Sequence, residues 1–119
     1  MKNKIDIREF TTAWINSWNS HDLDIILSHY SDDVEITSPM IKQAAGIDAG
    51  YLKGKDRVAD YWERALKKIP DLHFELIDVT EGVDSIALYY KSVMNRKTVE
   101  VMFFNEEGEV NKVIAHYTN

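Results

Sequence analysis

Residues 14–39, WINSWNSHDLDIILSHYSDDVEITSP, decide how the rest of the chain is read, because they pass through helix, break, helix and strand in one short span. Ile7, Phe10, Trp14 and Trp18 recur at spacings of three and four, which puts them on one stripe of a helix over roughly residues 4 to 19. Two tryptophans on one stripe need a large concave partner. Asn19-Ser20-His21 interrupts the pattern. Asp22 then serves as an N-cap, Asp24 places negative charge in the first turn, and Leu23, Ile26, Leu27 and Tyr30 form a second apolar face over roughly 22 to 30. Ser31-Asp32-Asp33 turns the chain into a strand over roughly 33 to 38, which Pro39 ends.

Working outward, Met40 to Lys53 shows no clean periodicity and reads as a long loop, of the kind that covers a pocket mouth. Gly54-Lys55-Asp56 opens a third helix with Val58, Tyr61, Trp62, Ala65 and Ile69 on its apolar face, and Pro70 stops it. From Leu72 onward the period changes from helical to alternating. Strands are expected over Leu72 to Thr80, Ser85 to Val93, Thr98 to Asn105 and Val110 to Thr118, with turns at Glu81-Gly82, Met94 to Lys97 and Glu106-Glu107-Gly108. Three helices followed by such a meander give an α+β domain, with the helices on one face of a curved sheet.

Composition narrows the function classes. The 119 residues make one domain, 1–119, with a single core. A formal charge of −6, with basic residues scattered along the chain, argues against a nucleic-acid partner. No apolar run reaches membrane-spanning length, and Met1 to Asp6 lacks the apolar stretch of a secretion signal that would follow it. The absence of cysteine excludes a thiol nucleophile and a disulfide framework, and agrees with a cytoplasmic location.

The segment Thr98-Val99-Glu100-Val101-Met102-Phe103-Phe104 is apolar on both faces. Val99, Val101 and Phe103 share one face, and Met102 and Phe104 lie beside Glu100 on the other. A sheet covered on both sides in so small a domain has helices on one side and a second copy on the other, so a homodimer through the outer sheet face is expected. Glu100 is the lone charge in this apolar strand. Burial there raises a carboxyl pKa towards neutrality and makes it a proton donor or acceptor. The alternative is an ion pair with Lys91 or Lys112 on a neighbouring strand.

Several of these motifs occur together in one known family. The aromatic first helix, Asn19 to Asp24 as N-x-x-D-L-D, Asp32-Asp33-Val34, the strand ending in Ser38-Pro39, Gly54-Lys55-Asp56, Tyr61-Trp62, Pro70 to Phe74 and Ala115-His116-Tyr117 resemble the SnoaL-like branch of the NTF2-like superfamily over nearly the whole chain. The resemblance implies a cone of three N-terminal helices on a curved, mixed, mostly antiparallel sheet. It implies no single reaction, because that superfamily includes isomerases, cyclases, dehydratases, hydrolases, transport factors and binding modules. Laid against the ketosteroid isomerases of the superfamily, Glu100 falls where those enzymes keep a protonated acid that donates to the substrate oxyanion. Their general-base position is Ser38 here, and their tyrosine of the first helix is Trp14, which argues against steroid isomerisation.

Strand parity and the same resemblance assign Trp14, Trp18, Tyr30, Trp62, Phe74, Tyr89, Met102, Phe104 and Tyr117 to a pocket between helices and sheet, with a plain core role as the alternative for each. Ser38 and Tyr89 are expected to supply hydrogen bonds. His116 is a second acid/base candidate by resemblance, although alternation puts it on the face opposite Tyr117, where a dimer-interface role fits as well. His21, Asp22 and Asp24 cluster, but helix capping accounts for both acids, so no metal is expected. No phosphate loop, nucleophile elbow or dinucleotide fingerprint occurs, so no cofactor is expected either. Two functions fit: a cofactor-free isomerase, cyclase or hydrolase moving a proton on a small apolar or ring-containing molecule, or a non-catalytic ligand-binding or dimerisation module.

Overall fold

The computed structural model describes residues 5–118, so the first residues of the chain, including Lys4 at the expected start of the first helix, and Asn119 lie outside the described residues. Helix α1 runs Ile7–Ser20, with Asp6 as its N-cap accepting from the Glu9 N–H at 3.1 Å. It ends at His21, whose left-handed φ of 62° lets its N–H return to the Trp18 carbonyl. Helix α2, Leu23–Leu27, is capped by Asp22 as expected. Tyr30 leaves the helix and begins strand β1, Tyr30–Thr37.

The stretch read as a long loop is where the structure departs most from expectation. It contains helix α3, Pro39–Ala45, and strand β2, Tyr51–Lys53, so there are four α-helices among the described residues rather than three. Pro39 does end the strand, but it also occupies the first turn of a helix, where its missing N–H costs nothing. Ser38 is the N-cap, its Oγ accepting from the Met40 N–H at 3.1 Å. Gly50 closes the return: with φ at +63°, a Cβ there would stand 3.2 Å from the Ser38 carbonyl, so a side chain is disfavoured on two counts.

Helix α4, Lys55–Lys68, follows, and then β3, Glu75–Gly82; β4, Ser85–Lys91; β5, Lys97–Phe104; and β6, Val110–Tyr117. The β3–β4 turn falls at Val83-Asp84 instead of Glu81-Gly82, because Glu81 and Gly82 stay paired with Ile86 and Ser85 while Asp84 takes the positive φ. One sheet results, in the order β2-β1-β6-β5-β4-β3, antiparallel throughout except where β1 and β6 run parallel. Register shifts interrupt three of its ladders, and such bulges bend a sheet.

Helices and sheet bury Trp14, Trp18, Ile26 and Trp62 against Tyr30, Val34, Leu88 and Tyr90, the centre of a continuous core. Trp14 stacks on Phe74 with centroids 5.7 Å apart, and Trp18 meets Trp62 edge-on at 5.0 Å. The concave partner demanded by two tryptophans on one helix is therefore the inner face of the sheet together with α4. No helix among the described residues is long and apolar enough to cross a membrane.

Candidate functional site

Glu100 lies mid-strand in β5, opposite Leu88 of β4 and Ala115 of β6. The alternation that turns Val99 outward turns Glu100 inward with Thr98 and Met102, leaving it 8% exposed. Neither candidate lysine reaches it. The Lys91 Nζ is 3.9 Å from Glu75, and that of Lys112 lies 5.8 Å from the Phe103 ring centroid. The partner is Tyr90, whose hydroxyl donates to Glu100 Oε1 at 3.0 Å. Tyr90 opposes Thr98, so this is a same-face diagonal pair across two antiparallel strands.

Burial pushes the Glu100 carboxyl up to about 7, and the Tyr90 hydrogen bond pulls it the other way. The same carboxyl group acts on four phenols. Tyr30, Tyr61, Tyr90 and Tyr117 are all held above the usual tyrosine range, first by their own burial and then by the Glu100 charge; Tyr61 reaches about 12. For Tyr117 the Ser38 side chain and the Arg96 charge offset part of that rise. One carboxyl group thus titrates near neutrality among hydroxyls that stay protonated.

Beside Glu100 is a cavity of about 90 Å³. Its inner wall is Trp14, Trp18, Trp62, Phe74 and Tyr90, and Ser38 and Tyr117 close another side. Met40, Tyr61, Ala65 and Val93 also line it and are only half-buried, so it opens on the side of α3 and α4. Of the residues expected from sequence, Glu100, Ser38, Trp14, Trp18, Trp62, Phe74 and Tyr117 meet here.

Three others are buried behind the wall. Met102 and Phe104 are core residues, and the Tyr30 hydroxyl accepts from the Trp14 Nε1 at 2.7 Å. The Trp18 N–H lies near the same hydroxyl without meeting hydrogen-bond geometry.

Two expectations are corrected. Tyr89 faces outward, because β4 buries Ile86, Leu88 and Tyr90 in alternation, so Tyr90 holds the place assigned to its neighbour. His116 is exposed on the outer face opposite Val99, far from an acid/base role in the cavity. Ser38 is at the site, where its Oγ accepts from the Met40 N–H as the α3 cap and its side chain also acts on Tyr117. Tyr90, Tyr61 and Met40 were missed. For Tyr90 the signal was present: Ile86 and Leu88 are the most apolar pair of that strand, and Tyr90 shares their parity.

Among the described residues no group of three or more His, Asp or Glu converges to hold a metal ion. Asp22 caps α2, and the His21 ring nitrogen bonds to the Leu72 carbonyl at 2.7 Å. What the arrangement offers is a single buried carboxyl group titrating near neutrality, a neutral phenol bonded to it, and a largely aromatic wall.

Comparisons with known proteins agree with this architecture. A SnoaL-like protein of unknown function from Burkholderia thailandensis is 49% identical, with a TM-score of 0.91, covering 94% of this chain and 93% of its own. The epoxide hydrolase/cyclase-like enzyme SalBIII, which has a role in pyran ring formation in the polyether salinomycin, is 15% identical, with a TM-score of 0.75 over 99% of this chain and 95% of its own. A protein of ketosteroid isomerase-like fold from Catenulispora acidiphila, solved with trimethylamine, is 13% identical, with a TM-score of 0.75 over 92% and 85% of the two chains. No curated protein matches. The SnoaL-like domain profile matches residues 11–118, nearly the whole chain and every element that builds the cavity, and the protein belongs to the SnoaL-like domain family.

Proposed function

We propose that this protein takes a small apolar, carbonyl-bearing or ring-containing molecule into the aromatic cavity and moves a proton on it without a cofactor, as an isomerase or cyclase does. Glu100 is the acid or base, and Tyr90 orients its carboxyl group. The observation that carries this reading is a buried carboxyl group on a cavity wall, held near pH 7, whose bonded partner is a neutral phenol rather than a cation. A structural ion pair would sit well below that range. Trp14 and Tyr117 shape the space, and Ser38 contributes to its wall.

The test is exchange of α-protons of small ketones that a cavity of about 90 Å³ can hold, acetone first, in deuterated buffer followed by NMR. Acceleration by the protein and loss of about 10²-fold or more of it in Glu100→Gln is the expected result. Equal rates for protein and variant would exclude Glu100 as the proton-transfer group.

The second reading, a ligand-binding module without turnover, draws on one observation: the position of the isomerase base is Ser38, a hydroxyl whose oxygen accepts from the Met40 N–H and which has no carboxylate to take up a proton. We also propose a homodimer across the outer sheet face, where Val99 is 38% exposed beside Val101 and Phe103. Sedimentation of the protein and of Val101→Asp at micromolar concentration tests it; a monomer in both removes the dimer.

A further inference from the structure

A cavity of about 90 Å³ is small for the molecules just proposed, since an apolar cavity of about 150 Å³ is what encloses a benzene ring. Only the reacting end of a larger substrate fits beside Glu100. Among the described residues, a second space adjoins it for the remainder. A groove of about 630 Å³ runs between α3 and α4 and shares Met40, Tyr61 and Ala65 with the cavity, so the two spaces meet at those side chains. Ile47, Leu52 and Ile69 line it with apolar surface.

Its rim reverses the charge of the protein. In a chain with 20 acidic and 14 basic residues, Arg57, Arg64, Lys67 and Lys68 line this groove against the single acid Asp60. Two of the cations are spoken for: Arg64 bonds Asp60 at 2.9 Å, and Lys67 lies 3.6 Å from Glu63. Among the described residues Arg57 and Lys68 have no acidic partner. Lys68, in the last turn of α4, complements the helix dipole; Arg57 is in the first turn, where a cation opposes it, so helix electrostatics do not account for Arg57. It stands one turn, about 6 Å along the axis, from Tyr61 at the mouth. A guanidinium also matches a carboxylate with two parallel hydrogen bonds.

We infer that the ligand is a small monocarboxylic acid: its reacting end enters the cavity beside Glu100, its apolar body lies in the α3–α4 groove, and its carboxylate pairs with Arg57. This rests on the cavity being the ligand site and adds the class of molecule it takes.

Hexanoate and the neutral hexan-1-ol are the probes, with the fluorescence of Trp14, Trp18 and Trp62 at the cavity as the readout. At low salt hexanoate should bind several-fold more tightly than the alcohol. Arg57→Glu, which leaves a helix-favouring acid in the first turn, should weaken hexanoate roughly tenfold and leave hexan-1-ol unchanged. Lys68→Glu, at the far end of the groove, should change hexanoate less than about twofold, and salt should erase the preference for the acid. Equal binding of acid and alcohol, or a larger loss from Lys68→Glu than from Arg57→Glu, overturns the Arg57 anchor and leaves the cavity reading standing. If neither compound alters the fluorescence of the parent protein, both fall.

Discussion

The two faces of β5 differ by one residue of register and hold opposite environments. Inward, Thr98, Glu100, Met102 and Phe104 are buried under helices, and the only charge among them is driven towards neutrality. Outward, Val99, Val101 and Phe103 are partly exposed, with His116 and Lys112 alongside on β6. The contrast shows that apolar content does not mark the site. Both faces are apolar; what distinguishes the inner one is a buried carboxyl group with no cation beside it, whose charge adds to burial in raising four neighbouring phenols.

The most severe way to break the inner face is to empty it. Trp14 is 1% exposed and its Nε1 donates to the Tyr30 hydroxyl, so Trp14→Ala should cost about 3–5 kcal/mol in urea unfolding. A loss below about 1 kcal/mol would mean that the enclosure is not a packed wall.

Next comes pH. Glu100 has its folded pKa raised, from 4.5 to about 7, so the folded protein binds more protons than the unfolded chain between those values. Its contribution is fully favourable below pH 4.5 and is lost as pH rises through 7, on the order of 3 kcal/mol for the buried carboxyl group. Unfolding curves at pH 5 and pH 8 should show that slope in the parent and not in Glu100→Gln. A parallel slope in both would place the titration elsewhere.

Sharper still is Tyr90→Phe. Losing the donor should cost about 1 kcal/mol and raise the Glu100 pKa further, since the hydrogen bond lowers it. Carboxyl chemical shifts across a pH series read the direction, and a fall would contradict the geometry. The smallest effect belongs to the outer face: His116→Ala should change stability by less than about 0.5 kcal/mol and leave cavity binding unaltered.

Much of this was legible in the residues themselves. The period of Ile7, Phe10, Trp14 and Trp18, the capping aspartate at 22, and the switch to alternation after Pro70 are local signals, and the elements they specify formed with shifts of a few residues. Glu100 stood out because a charge in an apolar strand is visible without coordinates. Helix α3 was hidden because Pro39 can stop a strand and start a helix alike, and Ser38 reads as a cap only once that helix is present.

The sequence by itself determined helix stripes, strand parity and an α+β layout, since backbone period and side-chain polarity are properties of neighbours along the chain. Only the tertiary structure decided that Tyr90, not Tyr89, meets Glu100, that neither Lys91 nor Lys112 pairs with it, and that the cavity and the α3–α4 groove share Met40, Tyr61 and Ala65. Those facts depend on the register between strands and on the distance between helices far apart in sequence. The degree of desolvation that places a carboxyl group near pH 7 is set by that packing alone.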